Sequence, residues 1–462
     1  MVLVDYLHQN AQRYPDKVAV VCGDRSLTYA QLWQEVARRA QDFRPHEVVC
    51  FSSSQDIDFL ITYMAVHLAG GVAAPLEHGM PDALFERISS AVAHSSLSAH
   101  YSSLPIADIL YTTGTTGQSK SVMVSHRALI ADAENLIAGQ GFSHDLIFVI
   151  NGPLNHIGSL SKIWPCIILG ATIFILEGMK DLNAFFRALD YSHSSLHTPH
   201  SSLHTPHSSL HTPHSSNLKF ATFFVPATIR MILQFAPDKL ASYADKLDFI
   251  ESGAAPLPQA DMLRLCELLP KTRLYNTYAS TETGIIATYN YNDGRCMANC
   301  LGRPMPHSRV LITPEGLIAC QGDTLMSGYV GDPELTATVL RDDTIFTSDI
   351  GTLDEEGMLH LSGRASDVIN VGGFKVSPIE VEEAAMSSPM VSDCICISAS
   401  HPVTGHALKL LIVTPPGQTL DKRILARFLA DRLEPYKVPM LYEQVDAIAR
   451  TYNGKLDRKH YQ

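Results

Sequence analysis

The sequence of 462 residues predicts an α/β protein with a large N-terminal part of layered sheets and helices and a small α+β C-terminal module. Three observations carry this. From residue 27 onward, helix-period and strand-period patterns alternate, which is the signature of parallel strands covered by helices. The apolar run 163–176 is too short to span a bilayer and contains Pro165, so it reads as a buried helix running into a buried strand. Near Gly363 the texture changes to a compact succession of short strands and helices.

The elements follow in order. Leu27-Thr28-Tyr29-Ala30-Gln31-Leu32 opens an amphipathic helix with Thr28 as its N-cap, and apolar residues continue at helical spacing through Val36 and Ala40. Residues 48–51 read as a strand, 58–68 as a helix stopped by Gly70-Gly71, and 72–75 as a further strand. Residues 106–110 form a short apolar strand. Late in the chain, 345–347 and 359–361 are strands around the turn Asp354-Glu355-Glu356-Gly357. Beyond Gly363, segments 376–385, 394–398 and 408–413 build the small module. The expected division is 1–365 and 366–462.

One segment is foreign to this texture. Residues 194–214 are three copies of Ser-Ser-Leu-His-Thr-Pro-His, within a low-complexity stretch 192–216. A proline and paired serines in each copy exclude a long helix or a central strand. The flanks, 185–189 and 220–233, look globular, so the repeat is expected to be a mobile surface loop between two elements. Its histidines could take up a transition metal adventitiously.

Composition narrows the function. A net charge of −12 without a basic stripe argues against nucleic acid as the main partner. Nine scattered cysteines with no Cys-x-x-Cys pair read as reduced thiols of a cytoplasmic protein, not a disulfide frame or zinc site. Residues 1–12 carry Asp5 and no long apolar core, so no signal peptide is expected there, and no membrane span is predicted.

Five clusters carry chemistry. After the 106–110 strand comes Tyr-Thr-Thr-Gly-Thr-Thr-Gly-Gln-Ser-Lys at 111–120. Glycines let backbone N–H groups turn toward an oxyanion, threonines add hydroxyl donors, and Lys120 supplies a mobile positive charge. The glycine spacing is not that of the common P-loop, and a polar surface turn has a similar composition. The second cluster is Tyr275-Asn276-Thr277-Tyr278-Ala279-Ser280-Thr281-Glu282-Thr283-Gly284. There Tyr278 offers a face to a base, Thr281 a phosphate donor, and Glu282 an oxygen ligand for Mg²⁺. Ser252-Gly253-Ala254-Ala255-Pro256 are small residues that let backbone approach a flat ligand. In Thr347-Ser348-Asp349-Ile350-Gly351 the carboxylate suits a pair of ribose hydroxyls. The last cluster joins Gly363-Arg364-Ala365-Ser366-Asp367 with Asn370-Val371-Gly372-Gly373-Phe374-Lys375 and, far downstream, Asn453-Gly454-Lys455-Leu456-Asp457-Arg458.

In this order the set resembles the motifs of the adenylate-forming superfamily, which includes acyl-CoA synthetases, stand-alone adenylation domains and luciferases. The resemblance spans residues 27 to 455. It implies a large N-terminal domain, a small C-terminal lid, and two steps: a carboxylate attacks the α-phosphate of ATP, and a thiol then attacks the acyl carbon. By position, the resemblance assigns Thr113, Gly114, Thr115, Thr116 and Lys120 to the departing phosphates. Ala254, Ala255 and Tyr278 fall at the adenine, Asn276 elsewhere in the ATP site, Thr281 at the α-phosphate and Glu282 at Mg²⁺. Asp349 and Arg364 fall at the ribose, Ser366 at the hinge, and Lys455 at the α-phosphate and the substrate carboxylate. Gly372, Gly373 and Lys375 would face the thiol channel. Departures include Gln118-Ser119-Lys120-Ser121 in place of the usual proline before and glycine after the lysine, Ala279 for glycine, Ser366 for a charged hinge residue, and a shortened stretch between 75 and 111. None removes an essential group.

Residues 152–160, with His156, resemble the Pro-Leu-Phe-His signature of acyl- and aryl-CoA synthetases, which would put His156 beside the acyl group. The aspartate that amino-acid-activating domains place there is absent. The lid segment resembles the CoA-ligase branch, including the short bacterial o-succinylbenzoate–CoA ligases. The resemblance therefore implies an ATP-dependent carboxylic acid–CoA ligase using Mg²⁺ and CoA. One alternative is a free-standing enzyme that loads phosphopantetheine on a separate carrier protein. Another is a non-catalytic nucleotide-binding relic, against which Lys120, Glu282, Asp349, Arg364 and Lys455 all speak. Neither the identity of the acid nor the oligomeric state is legible. Deleting residues 194–214 is expected to leave melting temperature and activity nearly unchanged, because loop length contributes little to closure entropy; a collapse of either, by thermal melting or ATP turnover, overturns this.

Overall fold

A computed structural model describes residues 1–94, 105–112, 120–178, 181–191, 218–401, 405–451 and 455–461. The repeat at 192–216 lies outside the described residues. Two compact units emerge. The first comprises Met1–Phe223, Asp238–Glu251 and Asp323–Thr336, and the second comprises Phe224–Pro237, Ser252–Gly322 and Ala337–Gln462.

The first unit is α/β, with the helix boundaries set by local chemistry. Thr28 caps helix Tyr29–Arg39 by accepting from the Gln31 N–H, and the Gln31 side chain returns a bond to the Thr28 N–H, a full capping box. Asp56 caps Ile57–Leu68 through the Phe59 N–H, and Ser125 caps His126–Gln140 through the Ala128 N–H.

Strands Val48–Ser52, Val72–Leu76 and Ile106–Thr112 run parallel, as the helix–strand alternation predicts. Lys120–Ser125 then returns antiparallel to Ile106–Thr112. That reversal departs from the parallel expectation for a simple reason: residues 113–119 are too few for a crossover, which takes about a dozen residues or more. A second set, Lys219–Phe224, Leu146–Ile150, Thr172–Ile175 and Val18–Cys22, is parallel throughout and is closed by the antiparallel strand Arg25–Thr28. The apolar run 163–176 becomes helix Ile163–Leu169 and strand Thr172–Ile175, the strand buried at every position.

Inside this unit lies a polar network that the sequence did not announce. Asp108 has no exposed surface and accepts from Tyr63 Oη and pairs with His67 Nε2, each at 2.8 Å, while Trp164 Nε1 donates to Tyr63 Oη at 3.0 Å. The His126 ring stands 5.2 Å from that of His67.

The second unit is largely antiparallel. Its sheet runs Ser308–Ile312, Leu317–Gly322, Thr344–Leu353, Leu359–Arg364, Cys300–Pro304, Gly284–Asn290 and Arg273–Ser280. The small module follows: hairpin Ile369–Val371/Phe374–Val376, helix Pro378–Met386, antiparallel strands Asp393–His401 and Gly405–Val413, helix Lys422–Ala430, and the parallel edge strand Leu441–Gln444. Val376, Val381, Ala385, Cys396, Leu408, Leu410, Ile412, Leu425 and Leu429 form its core. All nine cysteines are free. Among the described residues no helix is long and apolar enough to cross a membrane.

Burial and then the neighbouring His67 push His126 down from the ordinary 6.5 to about 4. The fold therefore favours the neutral ring. Its contribution is whole above pH 6.5 and is lost as pH falls toward 4, because the unfolded chain binds the proton first. Urea unfolding at pH 7.5 and pH 4.5 should show about 2–3 kcal/mol of acid destabilisation from this group. His126→Gln should remove that share, and an unaltered pH dependence in the variant would refute it.

Candidate functional site

The second unit gathers most of the residues singled out in the sequence. Strands Thr344–Leu353 and Leu359–Arg364 pair so that Asp349 lies directly opposite Arg364. A register shift between Ile350 and Gly351 makes this possible, and Gly351 is required there, since a Cβ would come within 2.6 Å of the His360 carbonyl oxygen. Arg364 Nε donates to Asp349 Oδ1 at 2.9 Å, and Tyr278 Oη donates to Asp349 Oδ2 at 2.8 Å. Tyr278 is thus a hydrogen-bond donor as well as an aromatic face. Burial, together with the Asp349 charge, raises its phenol well above the usual value, so it stays protonated.

Strands Arg273–Ser280 and Gly284–Asn290 are joined by the three-residue turn 281–283, which carries Thr281 and Glu282 at its tip, both partly exposed. Ser280 and Thr283 brace the turn through reciprocal bonds of 3.0–3.1 Å. Asn276 is buried and gives its amide to the Cys300 carbonyl at 3.0 Å, so its visible role is to tie two strands. After strand Leu247–Ser252, Ala254 adopts φ +69°, a left-handed conformation rare for a residue with a side chain, and is exposed, with Ala255 beside it.

Lys455 completes the group. Burial lowers its ammonium below the usual range, the Arg364 charge lowers it further, and Asp349 and Glu282 oppose both. Lys455 therefore feels the charges of Glu282 and Asp349, from two other clusters, and of Arg364 from its own. It stands on a small hairpin: Thr451 N–H donates to the Lys455 carbonyl at 2.8 Å, and Arg450 bridges Leu456.

Arg458 anchors the far side of that hairpin with a bidentate pair to Glu382 at 2.7 and 2.8 Å and a contact to Asp367 at 3.3 Å. Neither Arg458 nor Glu382 had a role in the sequence reading. Such a contact joins residues 76 apart and leaves no local pattern.

Ser366 is exposed and bonds only its neighbour Asp367, at 2.9 Å. Gly372 and Gly373, at φ +59° and +95°, make the turn of the 369–376 hairpin, with exposed Lys375 next to it. In the first unit, Lys120 opens strand Lys120–Ser125 with its Nζ 5.2 Å from the Tyr329 ring, and His156 is the N-cap residue of helix Ile157–Leu160. Thr113, Gly114, Thr115 and Thr116 lie outside the described residues. Among the described residues no cluster of three or more metal-ligating side chains occurs.

The chain matches the family described as AMP-binding enzyme over residues 7–102, 102–199 and 217–330, and the AMP-binding enzyme C-terminal domain over residues 380–455. It is 26% identical to a feruloyl-CoA synthase of Amycolatopsis sp, over 97% of this chain and 96% of that protein. It is 28% identical to an indoleacetate–CoA ligase of Aromatoleum aromaticum, over 99% and 96% of the two. Among solved structures, ATP-bound MatB from Rhodopseudomonas palustris superposes with a TM-score of 0.82 at 21% identity, over 100% of this chain and 98% of that one. With more than half its length matched, the chain belongs to the AMP-binding enzyme family.

Proposed function

We propose that this chain is an ATP-dependent carboxylic acid–CoA ligase, which caps an acid with AMP, releases pyrophosphate and passes the acyl group to the CoA thiol. The observation that carries the reading is the Asp349 carboxylate held between the Tyr278 phenol and the Arg364 guanidinium, with Lys455 within electrostatic range of Arg364, Asp349 and Glu282. A carboxylate is a poor electrophile, and adenylation supplies a good leaving group. Catalysis then consists of holding anions and neutralising charge that grows in the transition state.

In this reading Lys455 neutralises the α-phosphate and the incoming carboxylate, and the Thr281 hydroxyl donates to the same phosphate. Asp349, whose two oxygens each accept one of these protein bonds, keeps lone pairs for the ribose hydroxyls, with Arg364 paired to it. Tyr278, Ala254 and Ala255 border the adenine, Asn276 lies elsewhere in the ATP site, and Thr113, Gly114, Thr115, Thr116 and Lys120 receive the β- and γ-phosphates. A single partly exposed carboxylate, Glu282, fits Mg²⁺, which is ordinarily held by one or two carboxylates plus phosphate oxygens. When bound, Mg²⁺ would neutralise phosphate charge. His156 borders the acyl group, Ser366 is the hinge between 1–365 and 366–462, and Gly372, Gly373 and Lys375 face the thiol. The relatives named for feruloyl- and indoleacetyl-CoA favour CoA over a carrier-bound phosphopantetheine as acceptor.

The decisive measurement is pyrophosphate release over aliphatic, aryl and dicarboxylic acids, ferulate and indoleacetate included, with and without CoA. No acid-dependent release would end the reading. Lys455→Ala should slow acyl-adenylate formation by about 10²-fold, the effect of losing one transition-state donor. Thioester formation from supplied acyl-adenylate should stay largely intact, and equal loss of both would contradict the role of Lys455. Glu282→Gln should raise the Mg²⁺ concentration needed for half-maximal rate, and an unmoved titration would remove that assignment.

A further inference from the structure

A second set of charges lies within the second unit, away from Asp349. Arg230, on helix Pro226–Phe235, donates from Nε to Asp261 Oδ2 at 3.0 Å and from Nη1 to Asp393 Oδ1 at 2.6 Å. The other Asp393 oxygen accepts from Arg450 Nη2, also at 2.6 Å. Arg450 is the base of the hairpin that carries Lys455, through its bridge to Leu456. All four side chains are 15–21% exposed, so the pairs are far less screened than surface ion pairs. Beside them, Glu383 of helix Pro378–Met386 accepts the Gln259 N–H at 2.7 Å, placing a carboxylate at the start of helix Gln259–Leu268. An unbroken line of charge-assisted bonds therefore runs from Asp261 through Arg230, Asp393 and Arg450 to the Lys455 hairpin.

Two features indicate that this line does more than add stability. Asp393 is shared between arginines from distant parts of the chain, so its position is over-determined on both sides. Lys455 sits one residue before Leu456, the bridge partner of Arg450, so the arginine bound to Asp393 holds the base of the hairpin that carries the lysine.

We propose that Arg230 is a positioning residue for Lys455, acting through Asp393 and Arg450. Its chemical consequence rests on the ligase reading above, whereas the placement of the hairpin does not. Arg230→Met tests it, together with Arg230→Met/Asp261→Leu, which leaves no uncompensated carboxylate at position 261, and Arg230→Lys as the conservative variant. In the intact protein without ligands, trypsin cleavage after Lys455, followed by mass spectrometry of the new N-terminus at Leu456, should accelerate about tenfold in both methionine variants and less in Arg230→Lys. Acid-dependent ATP–pyrophosphate exchange, with the best acid of the panel, should fall about tenfold, while thioester formation from supplied acyl-adenylate stays within about twofold. Unchanged cleavage, or equal loss of both half-reactions in the double variant, would overturn the proposal. If the unmodified protein exchanges with no acid, the ligase reading falls, and the cleavage rates alone then decide the positioning role.

Discussion

The carboxylate of Asp349, shared between the Tyr278 phenol and the Arg364 guanidinium, is the interaction around which the rest of the candidate site is arranged. A partly buried charge is tolerable only when it is paired and hydrogen-bonded, and here a cross-strand neighbour and a facing strand supply both partners. Strand register alone puts Arg364 opposite, so the pair is as rigid as the sheet. Lys455 and Arg364 bring positive charge toward the Asp349 and Glu282 carboxylates, so charges of both signs from separate stretches of the chain meet there.

The small C-terminal module closes its own core around Val381, Cys396, Leu410 and Leu425. Within it, Arg458 clamps the last residues to Glu382, and Arg450 clamps the other arm of the hairpin to Asp393. The bonds that tie it to the rest of the second unit include Arg230 to Asp393 and the Gln259 N–H to Glu383. Ion pairs with short, directional bonds fix a position and yet can be exchanged for water one at a time, unlike a packed apolar interface.

Helix boundaries were the most legible feature of the chain. Thr28 as an N-cap, and Gly70-Gly71 after residue 68, are signals contained within a few residues, and the structure uses them as read. The functional clusters were legible as strings, because small residues, hydroxyls and carboxylates at close spacing have few other uses. Their mutual placement was not. The Tyr278–Asp349 bond joins positions 71 residues apart, and the buried Lys162–Glu251 pair joins positions 89 apart, with both side chains 1% exposed. Nothing near Lys162 or Glu251 distinguishes either from a surface charge. The antiparallel return at Lys120–Ser125 had no counterpart in the sequence reading, which followed the alternation of helix and strand patterns.

Local sequence, by itself, determined where helices begin and end, which runs are buried, that the chain changes character near Gly363, and which short strings have the chemistry of nucleotide and phosphate. Each of those depends on interactions within about one or two turns of chain. Tertiary structure alone decided that Asp349 faces Arg364, that Tyr278 donates to it, and that Lys455 arrives beside Glu282 on a hairpin braced by Arg450 and Arg458. Those pairings span tens to hundreds of residues, and their energies depend on burial and register, quantities that exist only once the sheets have formed.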